Sequence, residues 1–226
     1  MLSKDNLHCN HRARMRERLF SAGAENLQDH ELLEMFLFAV ESRKNTNEMA
    51  HALIERFGSL RGVFCANPEA LREIPGIKDA ASAHIFIFRE LMRRIDSENR
   101  DIPTTFENRT QMCEFILELY KYSAVEELYM LMFDGNDRFI GQVLISKGND
   151  NTVSMDIRKM VKEALGRGAA SIVIAHNHPN GKLMASMEDV TLTRDASLAL
   201  NKIGIEVVDH ILVANNKYTS IMNSTF

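Results

Sequence analysis

Ser171-Ile-Val-Ile-Ala175 runs straight into His176-Asn-His178-Pro-Asn-Gly181, and a short loop later the chain offers Ser186 and Asp189. The first five residues are apolar and β-branched enough to read as a strand. In extended backbone, residues two apart face the same side, so His176 and His178 can reach one ion together. Pro179-Asn180-Gly181 then turns the chain. Ser186-Met-Glu-Asp189 has the spacing of a helix start, with serine as N-cap and aspartate at the third helical position, near the positive end of the helix. Helix starts of this kind are common, and so are paired histidines on loops. The weight lies in their combination, because the helix start brings a carboxylate back to a strand end that already carries two imidazoles. Two histidines and one carboxylate with an open fourth position form a ligand set of catalytic zinc hydrolases. The spacing therefore predicts Zn2+ held by His176, His178 and Asp189, with Ser186 serving both the cap and the site.

Working outward, residues Asp29 to Asp96 read as helical throughout. Asp29 is placed as the cap of a helix through Ala39 with Leu32, Leu33, Phe36 and Leu37 on one face. Thr46 or Asn47 caps the next, which buries Met49, Ala52, Leu53 and Phe57 and ends at Gly58. A short helix begins at Pro68, and a long one spans Asp79 to Arg94 with Ala80, Ala83, Ile87 and Leu91 inward. The polar run Asp96 to Pro103 breaks the periodicity and reads as a linker. Beyond it come a helix (Thr110–Tyr120), two strands (Glu127–Asp134 and Arg138–Ser146) around the Gly135-Asn136-Asp137 turn, and a helix (Asp156–Leu165). The metal-site strand follows, then a helix (Ser186–Ile203), a strand (Glu206–Val213), an Asn215-Asn216 turn and a last strand (Lys217–Met222). Strands alternating with helices indicate a central sheet covered by helices. The fold class is α/β, with an all-helical domain over residues 1–102 and a mixed-sheet, metal-binding domain over residues 103–226.

Composition sets the outer bounds. The 45% hydrophobic and 26% charged fractions of the 226 residues are ordinary for a soluble globular protein. No apolar run approaches the roughly 18 residues of a spanning helix, and the polar N-terminus lacks the apolar core of a signal peptide. Cytoplasm is the expected compartment, with no membrane partner. Cys9, Cys65 and Cys113 are isolated, which excludes a disulfide framework or a cysteine-built zinc ribbon. A net charge of −4 argues against a general nucleic-acid binder. Lys4, Arg12, Arg14, Arg16 and Arg18 lie near the N-terminus, where the arginines recur every second residue rather than in one helical stripe and the segment reads as a solvated, partly disordered arm. His8-Cys9-Asn-His11 has too few ligands for a metal site. A base deaminase requires HxE with PCxxC ligands, and this chain has HxH and no CxxC.

The segment His176-x-His178-Pro-x-Gly-x(4)-Ser186-x-x-Asp189 resembles the JAMM (MPN-plus) metalloprotease signature. With Asp209-His210-Ile-Leu-Val near the C-terminus, and Leu27-Gln-Asp-His-Glu-Leu-Leu33 and Ile74-Pro-Gly-Ile77 in the helical part, the whole chain is similar to the bacterial RadC family. The resemblance implies a JAB1/MPN-like sheet, zinc bound by His176, His178 and Asp189, and Ser186 as hydrogen-bond donor to the oxyanion. It also implies a glutamate base at the start of an early strand, where Glu126 and Glu127 both stand. Glu127 is favoured because it directly precedes the hydrophobic run, although strand alternation does not separate the two. The implied activity is that of a zinc metallopeptidase or isopeptidase acting on a protein or peptide. The chain departs from the family pattern at Ala185, where a proline is usual, at Asn180, where a small residue is usual, and at Val153–Arg158, which lacks a His-Pro-Arg-Glu-like segment.

Leu71-Arg-Glu-Ile-Pro-Gly76-Ile-Lys78 and the alanines after it are similar to a helix-hairpin-helix, whose backbone amides face a DNA phosphate without reading bases. Gly76 and Lys78 are the candidate DNA contacts, with Lys78 where a second glycine is common. The alternative reading of the chain follows from this: a DNA-repair-associated binding module whose metal is structural or vestigial. His210, flanked by Val207, Val208, Ile211 and Leu212, reads as a buried, hydrogen-bonded histidine rather than a ligand; its functional form would be a partner that orients a ligand.

Overall fold

A computed structural model describes residues 4–42, 44–98, 102–148, 156–179 and 181–222, with residues 4–10 described by their backbone alone. The chain divides into two compact units, Met1–Asn99 and Arg100–Phe226.

The first unit holds α1 (Lys4–Ala22), α2 (Asp29–Leu37), α3 (Thr46–Phe57), α4 (Leu60–Phe64), α5 (Pro68–Arg72) and α6 (Asp79–Glu98). Leu33, Leu37, Leu53, Val63, Leu71 and Ile85 form its core. Two caps fall one residue before the expected ones. Gln28 precedes α2, its backbone N–H held by the Glu31 carboxylate at 2.9 Å. Asn45 caps α3, its Oδ1 accepting the Asn47 N–H at 3.2 Å. Gly58, at φ 79°, ends α3 as expected. The expected linker starts late: α6 continues through Glu98, and residues 99–101 lie outside those described.

The expected N-terminal arm is instead a helix. Its contact stripe is polar, which is why apolar periodicity does not reveal it. His11 Nε2 lies 2.9 Å from Glu34 Oε1, Arg12 donates to the carbonyls of Glu41 and Lys44, and Arg18 Nη1 sits 2.6 Å from Glu31 Oε1. Met15 is the buried residue between them. Residues 11, 15 and 18 share one helical face. The inward face of α6 also needs correction. Ala81, Ser82 and Ile85 are buried, while Ala80, Ala83, Ile87 and Leu91 are exposed. Alanines at 80, 81 and 83 carry no phase, and Ser82, which donates to the Pro68 carbonyl at 3.2 Å, takes the inward place.

The second unit is a five-stranded sheet in the order β2-β1-β3-β4-β5. The strands are β1 (Glu127–Phe133), β2 (Phe139–Lys147), β3 (Ser171–Asn177), β4 (Glu206–Ala214) and β5 (Lys217–Ser220), so the last is shorter than expected. Asp134 Oδ1 closes the first hairpin by accepting the N–H groups of Asn136 and Arg138. The left-handed position there falls on Asp137, at φ 58°, not on Gly135. Asn215 and Asn216, both at positive φ, make the two-residue turn between β4 and β5. β1 runs antiparallel to β2 and β3, and β3 parallel to β4. A parallel neighbour needs a crossover, which α9 (Met187–Asn201) provides.

Helices cover both faces, so β1 and β3 read as continuous apolar runs. Met130, Met132, Ile172 and Ile174 pack with Met160 and Ala164 of α8 (Ile157–Gly166) and Ala196 and Leu200 of α9. Leu131, Phe133, Val173 and Ala175 pack with Cys113 and Ile116 of α7 (Arg109–Leu119) on the other side. Ile174 is fully buried at the centre of the first layer. Ile174→Ala is expected to destabilise the protein by about 3 kcal/mol through lost burial and a residual cavity. Urea unfolding measures it, and a change below about 1 kcal/mol would mean that this layer collapses around the gap.

Candidate metal centre

The site is built where β3 ends and α9 begins. His176 faces the α9 side of the sheet, in step with Ile172 and Ile174, and is buried. One residue beyond the strand, the His178 backbone N–H bonds the Val213 carbonyl at 2.8 Å, which keeps the chain against β4. The turn that follows needs glycine at 181, because a Cβ there would lie 2.7 Å from the His178 Cβ. Ser186 caps α9, its Oγ accepting the Asp189 N–H at 3.1 Å. Asp189 Oδ2 in return accepts the Ser186 N–H at 2.7 Å and its hydroxyl at 2.8 Å. The helix start is therefore real, and it aims a carboxylate at the strand end.

The two histidine Nε2 atoms lie 3.1 Å apart. Asp189 Oδ1 is 3.3 Å from His176 Nε2, and its Oδ2 is 3.7 Å from His178 Nε2. Ligands about 2.05 Å from a tetrahedral zinc stand about 3.3 Å from one another. The two imidazole nitrogens and the carboxylate, which approaches them through different oxygens, are thus close enough to gather around such an ion, and imidazole with carboxylate is a donor set that suits zinc. Among the described residues no other group of three or more His, Cys, Asp or Glu converges in this way.

Burial sets the electrostatics. It drives the His176 ring down to about 4, with the Asp189 carboxylate opposing and His178 adding to the fall. It also holds His210 well below the ordinary range, the other two rings adding to the effect. Rings of this kind are protonated first in the unfolded chain. Stability is therefore full above the ordinary value of 6.5 and drains away as pH falls towards 4. Metal-free protein is expected to lose roughly 3 kcal/mol through His176 over that interval, with His210 acting in the same direction, seen as declining urea midpoints. Flat midpoints would show that the rings accept protons in place.

His210 is buried and hydrogen-bonded, and one of its partners is His176 of the candidate metal group. His210 Nε2 lies 2.7 Å from His176 Nδ1, and its Nδ1 lies 2.6 Å from Thr193 Oγ1. The reach depends on a bulge in β4. Val207 pairs with Ile172 and Asp209 with Val173, so Val208 is extra. A regular strand would pair His210 with Ala175 and turn it to the α7 side; with the extra residue it pairs with Ile174 and lies on the face of His176.

Glu127 is not gathered with His176, His178 and Asp189. Leu128 pairs with His176, so Glu127 belongs to the opposite face of the sheet. There its carboxylate accepts from the Ser123 hydroxyl and lies 2.7 Å from Lys147 Nζ. Glu126, next to β1, falls in step with Leu128 and hence on the side of His176. The side chain of Asn177, which the sequence reading passed over, brackets it. Asn177 Oδ1 accepts the Glu127 N–H at 2.8 Å, and its amide donates to the Val125 carbonyl at 3.1 Å. A polar residue alternating with two ligands was the available signal.

Gly76 and Lys78 lie in the first unit. Gly76 adopts φ 91° where a Cβ would press on Met49, and its carbonyl accepts from Lys44 at 3.0 Å. Lys78 is exposed and needs no left-handed backbone, so it fits where the hairpin pattern has glycine. The hairpin's acids are paired locally, Glu73 with Arg56 and Asp79 with Arg72. His11 is occupied by Glu34; the side chains of His8 and Cys9, like Asn180 and residues 153–155, lie outside the described residues.

The sequence profile of the RadC-like JAB domain matches residues 106–226, and that of the UPF0758 N-terminal domain matches residues 8–83. The chain belongs to the RadC-like UPF0758 family. Among its RadC-like relatives, a UPF0758 protein of Desulforudis audaxviator is 32% identical over 208 residues, covering 92% of this chain and 90% of its own. That of Cupriavidus taiwanensis is 32% identical over 212 residues, 93% of this chain and 92% of its own. One from Geobacillus sp. is 31% identical with 92% of both chains covered. The mixed sheet with its flanking helices agrees with the JAB-type α/β fold of the family. Among the described residues, no helix is long and apolar enough to cross a membrane.

Proposed function

We propose that this RadC-like protein is a zinc-dependent hydrolase of peptide or isopeptide bonds in a protein or peptide substrate. The observation that carries the reading is the convergence of His176 Nε2, His178 Nε2 and the Asp189 carboxylate: the nitrogens lie 3.1 Å apart, Oδ1 is 3.3 Å from the first and Oδ2 3.7 Å from the second. A zinc ion held by these three supplies Lewis acidity and lowers the pKa of water from about 15.7 towards 7.

The chain's own residues do the rest. Glu126, on the metal side of the sheet and backed by the Asn177 bracket, is the base that takes the proton of the attacking water and returns it to the leaving amine. This replaces the expectation of Glu127, whose carboxylate is committed to Ser123 and Lys147. The Ser186 hydroxyl, now donating to Asp189, turns to the oxyanion of the tetrahedral intermediate. One such donor is worth about 3 kcal/mol of transition-state stabilisation.

The test is a peptide and isopeptide cleavage screen with zinc-loaded protein, run beside the Asp189→Ala variant. Cleavage that needs both zinc and Asp189 is the expected result. Wild-type protein that retains no zinc at neutral pH would remove the reading.

A further inference from the structure

We infer that Thr193 is a positioning residue for the metal centre, acting through His210 to keep His176 in the form that carries its proton on Nδ1 and turns a bare Nε2 to the ion. The inference rests on the reading of the site as a metal centre. Proton counting leads to it. Thr193 Oγ1 has one hydrogen to give, and it lies 2.5 Å from the Asp189 carbonyl, an acceptor only. The same oxygen lies 2.6 Å from His210 Nδ1. With its hydrogen spent on the carbonyl, the hydroxyl can only accept there, so His210 Nδ1 bears the proton. In a neutral imidazole the other nitrogen is then an acceptor. That nitrogen faces His176 Nδ1 at 2.7 Å, which must therefore donate. His176 Nε2 is left as a lone pair, which accepts from His178 Nε2 at 3.1 Å in the absence of an ion and lies 3.3 Å from Asp189 Oδ1.

The reverse direction satisfies the two rings equally well but gives the opposite result. The hydroxyl would donate to His210, His210 to His176, and a proton would sit on His176 Nε2 where the ion must bind. The Asp189 carbonyl is the group that decides between the two directions. It belongs to a ligand, and Thr193 stands one helical turn after it in α9. Thr193 and His210 are both buried, at 5% and 1% exposure, so bulk water cannot stand in for the hydroxyl.

Thr193→Val removes the hydroxyl and keeps the shape, and Thr193→Ser restores the hydroxyl. Chelator competition on the full chain is expected to show zinc affinity falling about 10- to 100-fold in the valine variant, the range for lost outer partners of a ligand histidine, and recovering in the serine variant. Imidazole 15N correlation spectra of metal-free protein are expected to show His176 protonated on Nδ1 in the wild type and in Thr193→Ser, and a growing Nε2–H population in Thr193→Val. Zinc affinity and tautomer both unchanged in a folded valine variant would overturn the inference, as would wild-type His176 carrying its proton on Nε2. Wild type that binds no zinc yet shows the Nδ1–H form would instead sink the metal-centre reading, because the spectra test the relay without the ion.

Discussion

Asp189→Ala and His178→Ala are each expected to strip zinc from the protein at neutral pH while leaving it folded. Either change removes a direct donor, so the loss of affinity should exceed the roughly 100-fold that outer partners can cause. Only two donors would remain, and two side chains do not make a tetrahedral protein site. The fold should survive because both side chains sit at the edge of the unit, 18% and 16% exposed, outside its apolar layers. Asp189→Ala also loses the bonds to Ser186, a capping loss of about 1 kcal/mol. Asp189→Asn keeps a hydrogen-bonding cap and loses the charge, so it separates ligation from helix stability. His176→Ala is the poorer test, since it leaves His210 buried without its partner. Metal content after dialysis against a chelator gives the answer; stoichiometric zinc in both alanine variants would reject the site.

Glu126→Gln is expected to lower kcat by about 10²- to 10⁴-fold, the contribution of a general base, with zinc still bound. Glu127→Gln should stay within a few-fold of wild type in rate, and its effect should appear in stability through the lost contact with Lys147. The contrast is sharp because the two residues are neighbours of the same chemistry, one at the start of β1 and one just before it, with opposite parity. A rate collapse in Glu127→Gln with Glu126→Gln unaffected would return the base to residue 127. Kinetics on any substrate cleaved in the zinc-dependent screen, with metal content measured alongside, decides it.

The His176, His178 and Asp189 cluster was legible because two local periods meet there. A strand puts His176 and His178 on one side, and a capped helix start fixes Asp189 to Ser186; neither requires knowledge of distant residues. Which of Glu126 and Glu127 shares the face of His176 was not legible, for the complementary reason. Both faces of β1 are buried, so hydropathy alternation is silent, and only the pairing of Leu128 with His176 assigns a side. His210 was legible as buried, but its partner depends on the extra residue in β4, and a bulge leaves no mark on composition. The helical unit shows the same limit. α1 docks through His11, Arg12 and Arg18, and polar stripes carry no hydrophobic period. α6 was phased wrongly because alanine fits inside and outside equally.

Val208 has a practical consequence for comparing this chain with its relatives. Positions on either side of it obey opposite parity, so a homologue without the extra residue would turn the equivalent of His210 to the α7 face of the sheet, away from His176. Lengthening or shortening the loop before Ser186, by contrast, leaves that bookkeeping untouched.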